Sequence, residues 1–235
     1  MNSLPSSSFR IQTKPSMFKF PPSTIVDRVI PKTRIVENSH PRGRLKDLLT
    51  QQIQQIRWHA KLSPETIHIP ATPQVPEIQI FHLTLKGDEI HPDLLGLLDK
   101  TIPQPMLITI ETDNHKLAYS AAYKRPSEAD AAQWVVGARF TSDFTSKDSL
   151  SLQPLPTALD LGQLYSAFLT PLIPLAGRKN EALPLLIERC NQYQQCQRKT
   201  AQLTAKVNRE KQFNRRVALN QELNSLKAEL SSLTS

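Results

Sequence analysis

Glycine and cysteine are scarce in this sequence. It contains 6 glycines and 2 cysteines among 235 residues, against 19 prolines. So few glycines leave little material for a phosphate-binding glycine loop, and the prolines predict stiff, extended connections. The two thiols, Cys190 and Cys196, have no Cys/His cluster around them, which argues against a zinc site and indicates a reducing compartment. We therefore expect a cytoplasmic protein with no metal and no cofactor.

Long apolar runs are also missing. The longest apolar-rich stretch, residues 169–176, is interrupted by Pro171 and Pro174 and is far shorter than the roughly 20 residues that span a bilayer. The first residues contain no continuous apolar segment of the kind that forms a signal peptide. The sequence therefore predicts no membrane anchor.

Catalytic motifs are absent as well. The sequence has no Walker A pattern, no G-x-S-x-G elbow, no H-E-x-x-H and no dinucleotide fingerprint. The nearest approach to a metal-dependent nuclease is Glu111, Asp113 and Lys116, because two acids could hold a metal ion and a lysine could stabilise charge. A polar turn facing water explains the same residues. We predict no catalytic residues and keep a divergent nuclease as the alternative.

Positive charge is concentrated at the two ends of the chain. Residues 1–61 carry 11 Lys and Arg against 3 Asp and Glu, a net charge of +8, and residues 176–235 carry 11 against 5, a net charge of +6. Residues 62–175 carry 7 against 13, a net charge of −6. Basic ends suggest contact with a polyanion or an acidic partner, and charge pairing with the acidic middle is the other interpretation.

Hydrophobic periodicity predicts an α+β domain over residues 18–175, after a flexible N-terminal segment at residues 1–17. The order of elements predicts a mixed sheet of about four to five strands with helices mainly on one face. The predicted elements are an extended segment at 20–40, a helix at 44–59, a strand at 67–69, a strand at 77–86, a helix from Pro92 to Pro103, a hairpin with strands 106–111 and 116–124, a strand at 133–144, and a helix that a Thr157–Asp160 capping box opens and Pro171 ends.

The remaining residues, 176–235, form a basic tail. From residue 185 onward the sequence has neither Gly nor Pro, which predicts one long helix of about 75 Å at 1.5 Å per residue. Its leucines follow a heptad spacing only from Leu223 to Leu233. A coiled coil that forms a homo-oligomer, packing on a partner and folding back on itself all remain open.

Cations in the tail and near the first helix are the candidate nucleic-acid-binding residues. A helix can present such a row to phosphates without reading bases, and a solvated helix face is the alternative interpretation. The candidates are Arg42, Arg44, Lys199, Lys206, Arg209, Lys211, Arg215 and Arg216.

Several short motifs, in order along the chain, resemble the bacterial domain-of-unknown-function family 4391. The motifs are Phe20-Pro21-Pro22-Ser23-Thr24, Ile30-Pro31-Lys32, Lys61-Leu62-Ser63-Pro64, Asp99-Lys100-Thr101-Ile102-Pro103, Tyr123-Lys124 and Glu210-Lys211-Gln212-Phe213-Asn214-Arg215.

The resemblance implies a small accessory protein, since members look like partners of helicase-type ATPases or DNA methyltransferases in restriction or phage-defence clusters. It implies no activity. The matched residues Lys61, Asp99, Lys100, Tyr123 and Lys124 are a possible family surface, and turns and helix ends that the fold requires would explain them equally. We therefore predict a non-catalytic adaptor that binds a protein partner and non-specific DNA, with a structural oligomerisation module as a further alternative.

Overall fold

The computed structural model of the chain describes residues 16–130 and 133–234. Contacts within the described chain separate it into two compact units, with the boundary between Leu172 and Ile173. Of the predicted flexible segment, residues 1–15 lie outside the described residues, whereas Ser16 and Met17 belong to a strand. The prediction of a flexible segment is therefore wrong for Ser16 and Met17.

The first unit, up to residue 172, is a mixture of strands and helices. Its strands are β1 (Ser16–Lys19), β2 (Ile25–Val29), β3 (Ile53–Leu62), β4 (Ile78–Leu85), β5 (Met106–Glu111), β6 (Lys116–Pro126), β7 (Trp134–Thr141), β8 (Thr145–Ser146) and β9 (Ser151–Pro154). Its helices are α1 (Lys32–Ser39), α2 (Gly43–Gln52), α3 (Pro64–Ile67), α4 (Pro92–Thr101) and α5 (Leu161–Leu169), with short 3-10 helices at Pro22–Thr24, Lys147–Ser149 and Thr170–Leu172.

A seven-stranded mixed sheet organises this unit. Its strands lie in the order β2-β3-β4-β5-β6-β7, and β8 pairs with β6. β4 and β5 are parallel, as the intervening α4 crossover requires, and the other pairs are antiparallel. The α+β class and the mixed sheet are confirmed, but the sheet has more strands than the four to five predicted.

Helices α1, α2 and α4 cover one face of the sheet. Their buried residues, such as Ile35 of α1 and Leu49 of α2, pack with alternate residues of β3, β4 and β5 in one core cluster. The predicted α4 is confirmed within two residues at its C-terminal end, and Leu94 and Leu98 supply its core contacts.

The opposite face carries a second buried row. Ala60, Ile80, Leu107, Ala121 and Phe140 are in register across five strands, and all are buried. Burial on both faces explains why the central strands read as almost continuous apolar runs.

Helix α5 packs on this second face through aromatic side chains. The ring of Phe168 lies 5.1 Å from that of Phe18, which lies 5.9 Å from the ring of Tyr119. The predicted capping box is wrong, because Asp160 itself is the N-cap and accepts a hydrogen bond from the Gln163 amide.

The predicted helix over residues 44–59 is wrong in its second half. Helix α2 ends at Gln52, and residues 53–62 form β3. A β-bulge between Ile53 and Gln55 shifts the alternation of the strand, so Ile53 and Ile56 face the same core although they are three residues apart. That spacing imitates the periodicity of a helix.

Two further predictions for the first third of the chain are wrong because proline begins a helix as readily as it prevents one. The segment predicted to be extended contains α1, for which Pro31 is the N-cap and the left-handed His40 the C-cap. The segment predicted as a strand at residues 67–69 begins on the last residue of α3, a helix in which Pro64 occupies the first turn and Ser63 and Thr66 form a capping box.

The second unit contains a helical hairpin rather than one continuous helix. Helices α6 (Leu183–Arg209) and α7 (Phe213–Thr234) are antiparallel, since Cys196 Sγ contacts the Leu226 carbonyl oxygen at 3.4 Å. The predicted long helix is therefore confirmed in α6 but wrong as a single element to residue 235. The fold-back buries Leu203 and Leu223.

Near the open end of the hairpin, Arg189 of α6 connects the end of α7 with the segment that precedes α6. Its guanidinium donates to the Leu233 carbonyl at 2.6 Å, to the Ala176 carbonyl at 2.7 Å and to both carboxylate oxygens of Glu181. Among the helices of residues 16–130 and 133–234, none combines the length and apolar composition that a bilayer span requires.

Candidate functional site

Two residues of the possible family surface meet inside the protein. Asp99 near the end of α4 and Lys124 of β6 are each 1% exposed. The Lys124 ammonium lies 3.1 Å from Asp99 Oδ1, within ion-pair distance but without hydrogen-bond alignment. The prediction that these two residues belong to a surface is wrong, because their charges neutralise each other within the core.

Lys124 also donates hydrogen bonds to carbonyl oxygens at the C-terminal end of α4 and just after it. Its ammonium donates to the carbonyl oxygens of Asp99 at 3.3 Å, Ile102 at 2.6 Å and Gln104 at 3.1 Å. Burial lowers the pKa of Lys124 to about 7, and the three carbonyl oxygens, which would otherwise lack partners at the helix end, favour the charged form. The side chain therefore joins α4 to the sheet.

Arg139 of β7 is a third member of this cluster, which sequence reasoning missed. Its guanidinium pairs with Asp99 Oδ2 and donates to Ser120 Oγ at 2.7 Å and to the Leu95 carbonyl at 3.3 Å. Burial lowers the pKa of Arg139 to about 10. The Asp99–Lys124–Arg139 cluster thus links one helix and two strands and has a structural role.

The other three residues of the possible family surface are accessible but separate. Lys61 of β3 pairs with Glu77 at 2.8 Å, and hydrogen bonding to this carboxylate raises the pKa of Lys61. Lys100 is exposed on α4, and Tyr123 is half-buried on β6. No hydrogen bond or ion pair joins Lys61, Lys100 and Tyr123 in the part of the chain that the structure describes.

Glu111, the first residue of the nuclease alternative, lies at the end of β5 among cationic and imidazole groups. Its carboxylate contacts His82 Nε2 at 3.0 Å, His115 Nδ1 at 3.4 Å and Lys147 Nζ at 3.1 Å. Burial alone would raise the pKa of Glu111, but the bonds from Lys147 and His115 lower it. The pKa of His82 is lowered by burial, against the influence of Glu111.

This arrangement differs from the one that the nuclease alternative requires. Both Glu111 oxygens already have partners, whereas Asp113 and Lys116 are exposed and Lys116 makes no ion pair with Glu111. A metal ion bound by Glu111 would have to displace Lys147. Over residues 16–130 and 133–234, no group of three or more His, Cys, Asp or Glu side chains has a geometry suited to a metal ion.

The candidate cations of the tail gather where α6 turns into α7. Lys206 and Arg209 occupy the last turn of α6, Lys211 lies in the link, and Arg215 and Arg216 lie in the first turn of α7. All five are exposed, and we call them, with Phe213, the hairpin tip. Lys199 is also exposed but lies about two turns before Lys206 on α6.

In the part of the chain that the structure describes, no acidic side chain neutralises the hairpin tip. Glu210, the acid nearest in sequence, accepts a hydrogen bond from the Gln212 amide at 2.8 Å and so holds the link in its turn. Within residues 16–130 and 133–234, none of the five tip cations lies within ion-pair distance of a carboxylate. The tip therefore combines five cations that have no ion-pair partner among the described residues.

Phe213 is the part of the tip that sequence reasoning missed. It lies within the family-like motif of residues 210–215, and its side chain is 68% exposed. The feature of the sequence that could have identified Phe213 as part of the tip is its position among Lys211, Arg215 and Arg216 rather than in a run of leucines. An aromatic ring among cations is a combination found in sites for nucleic acids.

The remaining candidate cations, Arg42 and Arg44, lie in the first unit at the start of α2. Both are exposed, and Arg44 Nη2 lies 3.4 Å from His91 Nε2. They belong to a different compact unit from the tip cations. The structure thus divides the eight candidates into a tip group of five, Lys199 on α6, and a pair on α2.

Comparison with known proteins gives one match and two negative results. No curated protein and no solved structure matches the chain. One family model, described as a domain of unknown function (DUF4391), matches residues 18–230, which include both compact units and the hairpin tip. The chain belongs to the DUF4391 family.

Proposed function

We propose that this protein is a non-catalytic adaptor of a DNA-processing assembly, of the kind found in restriction or phage defence. In this proposal the α+β unit docks a protein partner, a helicase-type ATPase or a DNA methyltransferase, and the hairpin tip contacts the phosphate backbone of DNA. The observation that carries the proposal is the group of exposed, unpaired cations at the tip.

The helix dipole favours Lys206 and Arg209 in the last turn of α6, but folding gives no account of the cations at the start of α7. The N-terminal end of a helix carries partial positive charge, so cations there cost about 0.3–1 kcal/mol each. Arg215 and Arg216 nevertheless occupy the first turn of α7, which contains no acid. Continuing the register of the hairpin towards the link would set Arg216 opposite Lys206, a further repulsive pair. A phosphate ligand would convert this repulsion into attraction.

Support for the protein-docking part comes from the edges of the sheet. Strands β2 and β7 end the strand order and carry exposed apolar side chains, Ile25 and Val29 on β2 and Val135 and Val136 on β7. Residues 134–138 of β7 contain no charged residue to discourage pairing. Such an edge suits a partner that adds a strand.

Binding of duplex DNA at a series of salt concentrations tests the proposal. The full chain should bind a labelled duplex without sequence preference and with a steep loss of affinity as salt rises. Changing Arg209, Lys211, Arg215 and Arg216 together to Gln should weaken binding and lower the salt slope by about 1 for each phosphate that the variant no longer binds.

A matched variant controls for the loss of charge itself. Lys46, Lys100, Lys116 and Lys227 are exposed and lie outside the tip, so their joint replacement by Gln should leave most of the salt slope in place. If the tip variant keeps the original slope, and Arg42→Gln with Arg44→Gln lowers it, the contact lies at α2. If no chain binds DNA, the nucleic-acid part of the proposal is wrong.

A cleavage assay separates the adaptor from the nuclease alternative. Purified protein with Mg²⁺ or Mn²⁺ should leave duplex DNA, single-stranded DNA and RNA intact, because Glu111 is held by Lys147 and two histidines. Metal-dependent cleavage that disappears in a Glu111→Ala/Asp113→Ala variant would show that the adaptor proposal is wrong and that the protein is a nuclease. Purification of the native complex would identify the partner.

A further inference from the structure

The hairpin tip presents an apolar face as well as charge. Phe213 is 68% exposed and Val217, four residues later, is 41% exposed. Residues four apart lie on the same side of a helix, so the two side chains form one small apolar face on the first turn of α7. Lys211, Arg215 and Arg216 flank that face in sequence.

The hairpin does not use Phe213 for its own packing. The buried apolar contacts of the pair include Leu203 of α6 and Leu223 of α7, and Cys196 contacts the Leu226 carbonyl. No aromatic ring among the described residues stacks on Phe213. A phenyl ring that could gain about 1.5–3 kcal/mol by burial is therefore left in water.

We propose that the hairpin tip binds single-stranded nucleic acid, with Phe213 stacked on an unpaired base while Lys211 and Arg216 contact the neighbouring phosphates. This inference rests on the proposed function and specifies its ligand. The observation behind it is one exposed ring with Lys211 in the link before it and Arg216 three residues after it on the first turn of α7.

The geometry of nucleic acids favours a single strand over a duplex at such a site. In a duplex each base is stacked between its neighbours, so the phenyl ring would have to unstack a step at a cost of a few kcal/mol. In a single strand the faces of the bases are accessible, and stacking on an aromatic side chain contributes about 1–3 kcal/mol per base.

Charge argues against a protein groove as the occupant of this face. A groove that accepted Phe213 and Val217 would also have to accommodate the five tip cations. Glu210 is the nearest acid in this sequence, so the groove itself would have to supply most of the negative charge. A polyanion satisfies the cations at every step along its backbone. A strongly acidic protein groove remains a measurable alternative.

Fluorescence anisotropy with the full chain tests the inference. The probes are labelled oligo(dT), oligo(U) and a duplex, each about 15 nucleotides long, within the range of single-strand sites. Phe213→Ala should weaken binding of the single strands about 5- to 150-fold, the equivalent of the loss of one stacked base. Duplex affinity should change by less than about twofold, because the charge is intact.

Two further variants separate stacking from folding. Phe213→Trp should retain single-strand affinity, and quenching of the new indole by oligonucleotide should saturate with the anisotropy signal. Phe213→Leu keeps an apolar side chain but no ring, so it should lose affinity as Phe213→Ala does. Circular dichroism of each variant should match that of the original protein, since the ring is exposed.

The outcomes distinguish this inference from the proposed function. If duplex and single strands bind equally and Phe213→Ala affects neither, the inference is wrong while the phosphate contact stands. If no nucleic acid binds, both are wrong. If Phe213→Ala leaves nucleic-acid binding intact but abolishes a complex with a protein partner, the apolar face is a protein-docking surface and the inference is overturned.

Discussion

The Asp99–Lys124–Arg139 cluster and the hairpin tip are built from similar residues and treat charge in opposite ways. In the cluster, Lys124 has a carboxylate within 3.1 Å and three carbonyl acceptors. At the tip, Arg215 and Arg216 are exposed, and no ion pair involves them among the described residues. Asp99 and Lys124 of the cluster and Lys211 and Arg215 of the tip fall on family-like motifs, but the first two are buried in the fold and the last two are exposed.

This contrast shows how a charged motif should be interpreted. A buried charge left without a partner is strongly destabilising, so the sequence must retain all members of the cluster for the fold alone. Exposed cations contribute little to stability, so the fold does not require those at the tip. A charged motif can therefore be required by the fold in one region and not in another.

The largest expected effect comes from removing the shared anion. Asp99→Asn leaves Lys124 and Arg139 as two buried cations without a counter-charge, and should lower the free energy of unfolding by about 3–5 kcal/mol in urea denaturation. Adding Lys124→Met should recover part of that loss or restore folding, because only one buried cation then remains. If the loss of stability in the double variant equals the sum of the losses in Asp99→Asn and Lys124→Met, Asp99 and Lys124 are not coupled.

The buried cluster was beyond prediction from the sequence for a physical reason. Asp99, Lys124 and Arg139 lie on three separate elements, and each alone has the composition of a surface residue. Only the pairing of β6 with β7 and the crossover through α4 bring them together. A local pattern contains no information about such long-range meetings.

Local patterns did predict much of the fold. The strands β4, β5 and β6 and helix α4 carry strong apolar periodicity, and the predictions for them agree with the structure within a few residues. β3 was missed because its bulge reproduces helical spacing at Ile53 and Ile56. Tertiary pairing decided that segment, as it does wherever two periodicities fit equally well.

The turn of the hairpin shows the same limit in the tail. Neither Gly nor Pro marks the link between α6 and α7, and the chain reverses there with the Glu210 side chain bonded to the Gln212 amide. The cations were predicted because charge is visible in a sequence. Their gathering around an exposed Phe213 depends on the reversal. Homo-oligomerisation through the tail stays a prediction, although the fold-back already buries Leu203 and Leu223 within one chain.

An intermediate effect is expected at Arg189 and Glu181, a pair that is mostly buried. Bonds from Arg189 lower the pKa of Glu181 to about 2, so this pair contributes stability above pH about 4.5 that is lost as the pH falls towards 2. Glu181→Gln should lower stability by about 1.5–3 kcal/mol at pH 6, the range for hydrogen bonds to a charged group.

Thermal unfolding at a series of pH values measures this pair. The difference between the original protein and Glu181→Gln should shrink between pH about 4.5 and 2, because protonated Glu181 is also uncharged. The control is Glu188→Gln, which removes an exposed acid from α6, the helix that carries Arg189. A difference close to zero at every pH would mean that Arg189 stabilises the hairpin through the carbonyls of Ala176 and Leu233 alone.

A smaller effect, confined to neutral and mildly alkaline pH, is expected for Lys124. Its folded pKa of about 7 lies below the ordinary lysine value, so the unfolded chain binds more protons between these values and stability should rise with pH. The slope should reach up to about 1.4 kcal/mol per pH unit between pH 7.5 and 9. Lys124→Met should flatten it, whereas the exposed Lys100→Met should not.

A flat profile in the original protein would also be informative. It would mean that the Asp99 carboxylate at 3.1 Å keeps the ammonium charged throughout this range. The cluster would then resemble a permanent ion pair, and the effect of Lys124→Met would come entirely from the missing hydrogen bonds to the end of α4.

The smallest effect on stability should come from substitutions at the hairpin tip, although these substitutions remove the most charge. Changing Arg209, Lys211, Arg215 and Arg216 to Gln takes away four cations that have no ion-pair partner in the described chain. Each exposed substitution usually changes stability by less than about 0.5 kcal/mol, and relief of repulsion in the first turn of α7 should offset part of any loss. The urea midpoint should therefore stay the same or rise slightly, while the salt-dependent affinity for nucleic acid falls. A drop in stability comparable to that of Asp99→Asn would contradict the comparison, because it would show that the tip cations support the fold as the buried cluster does.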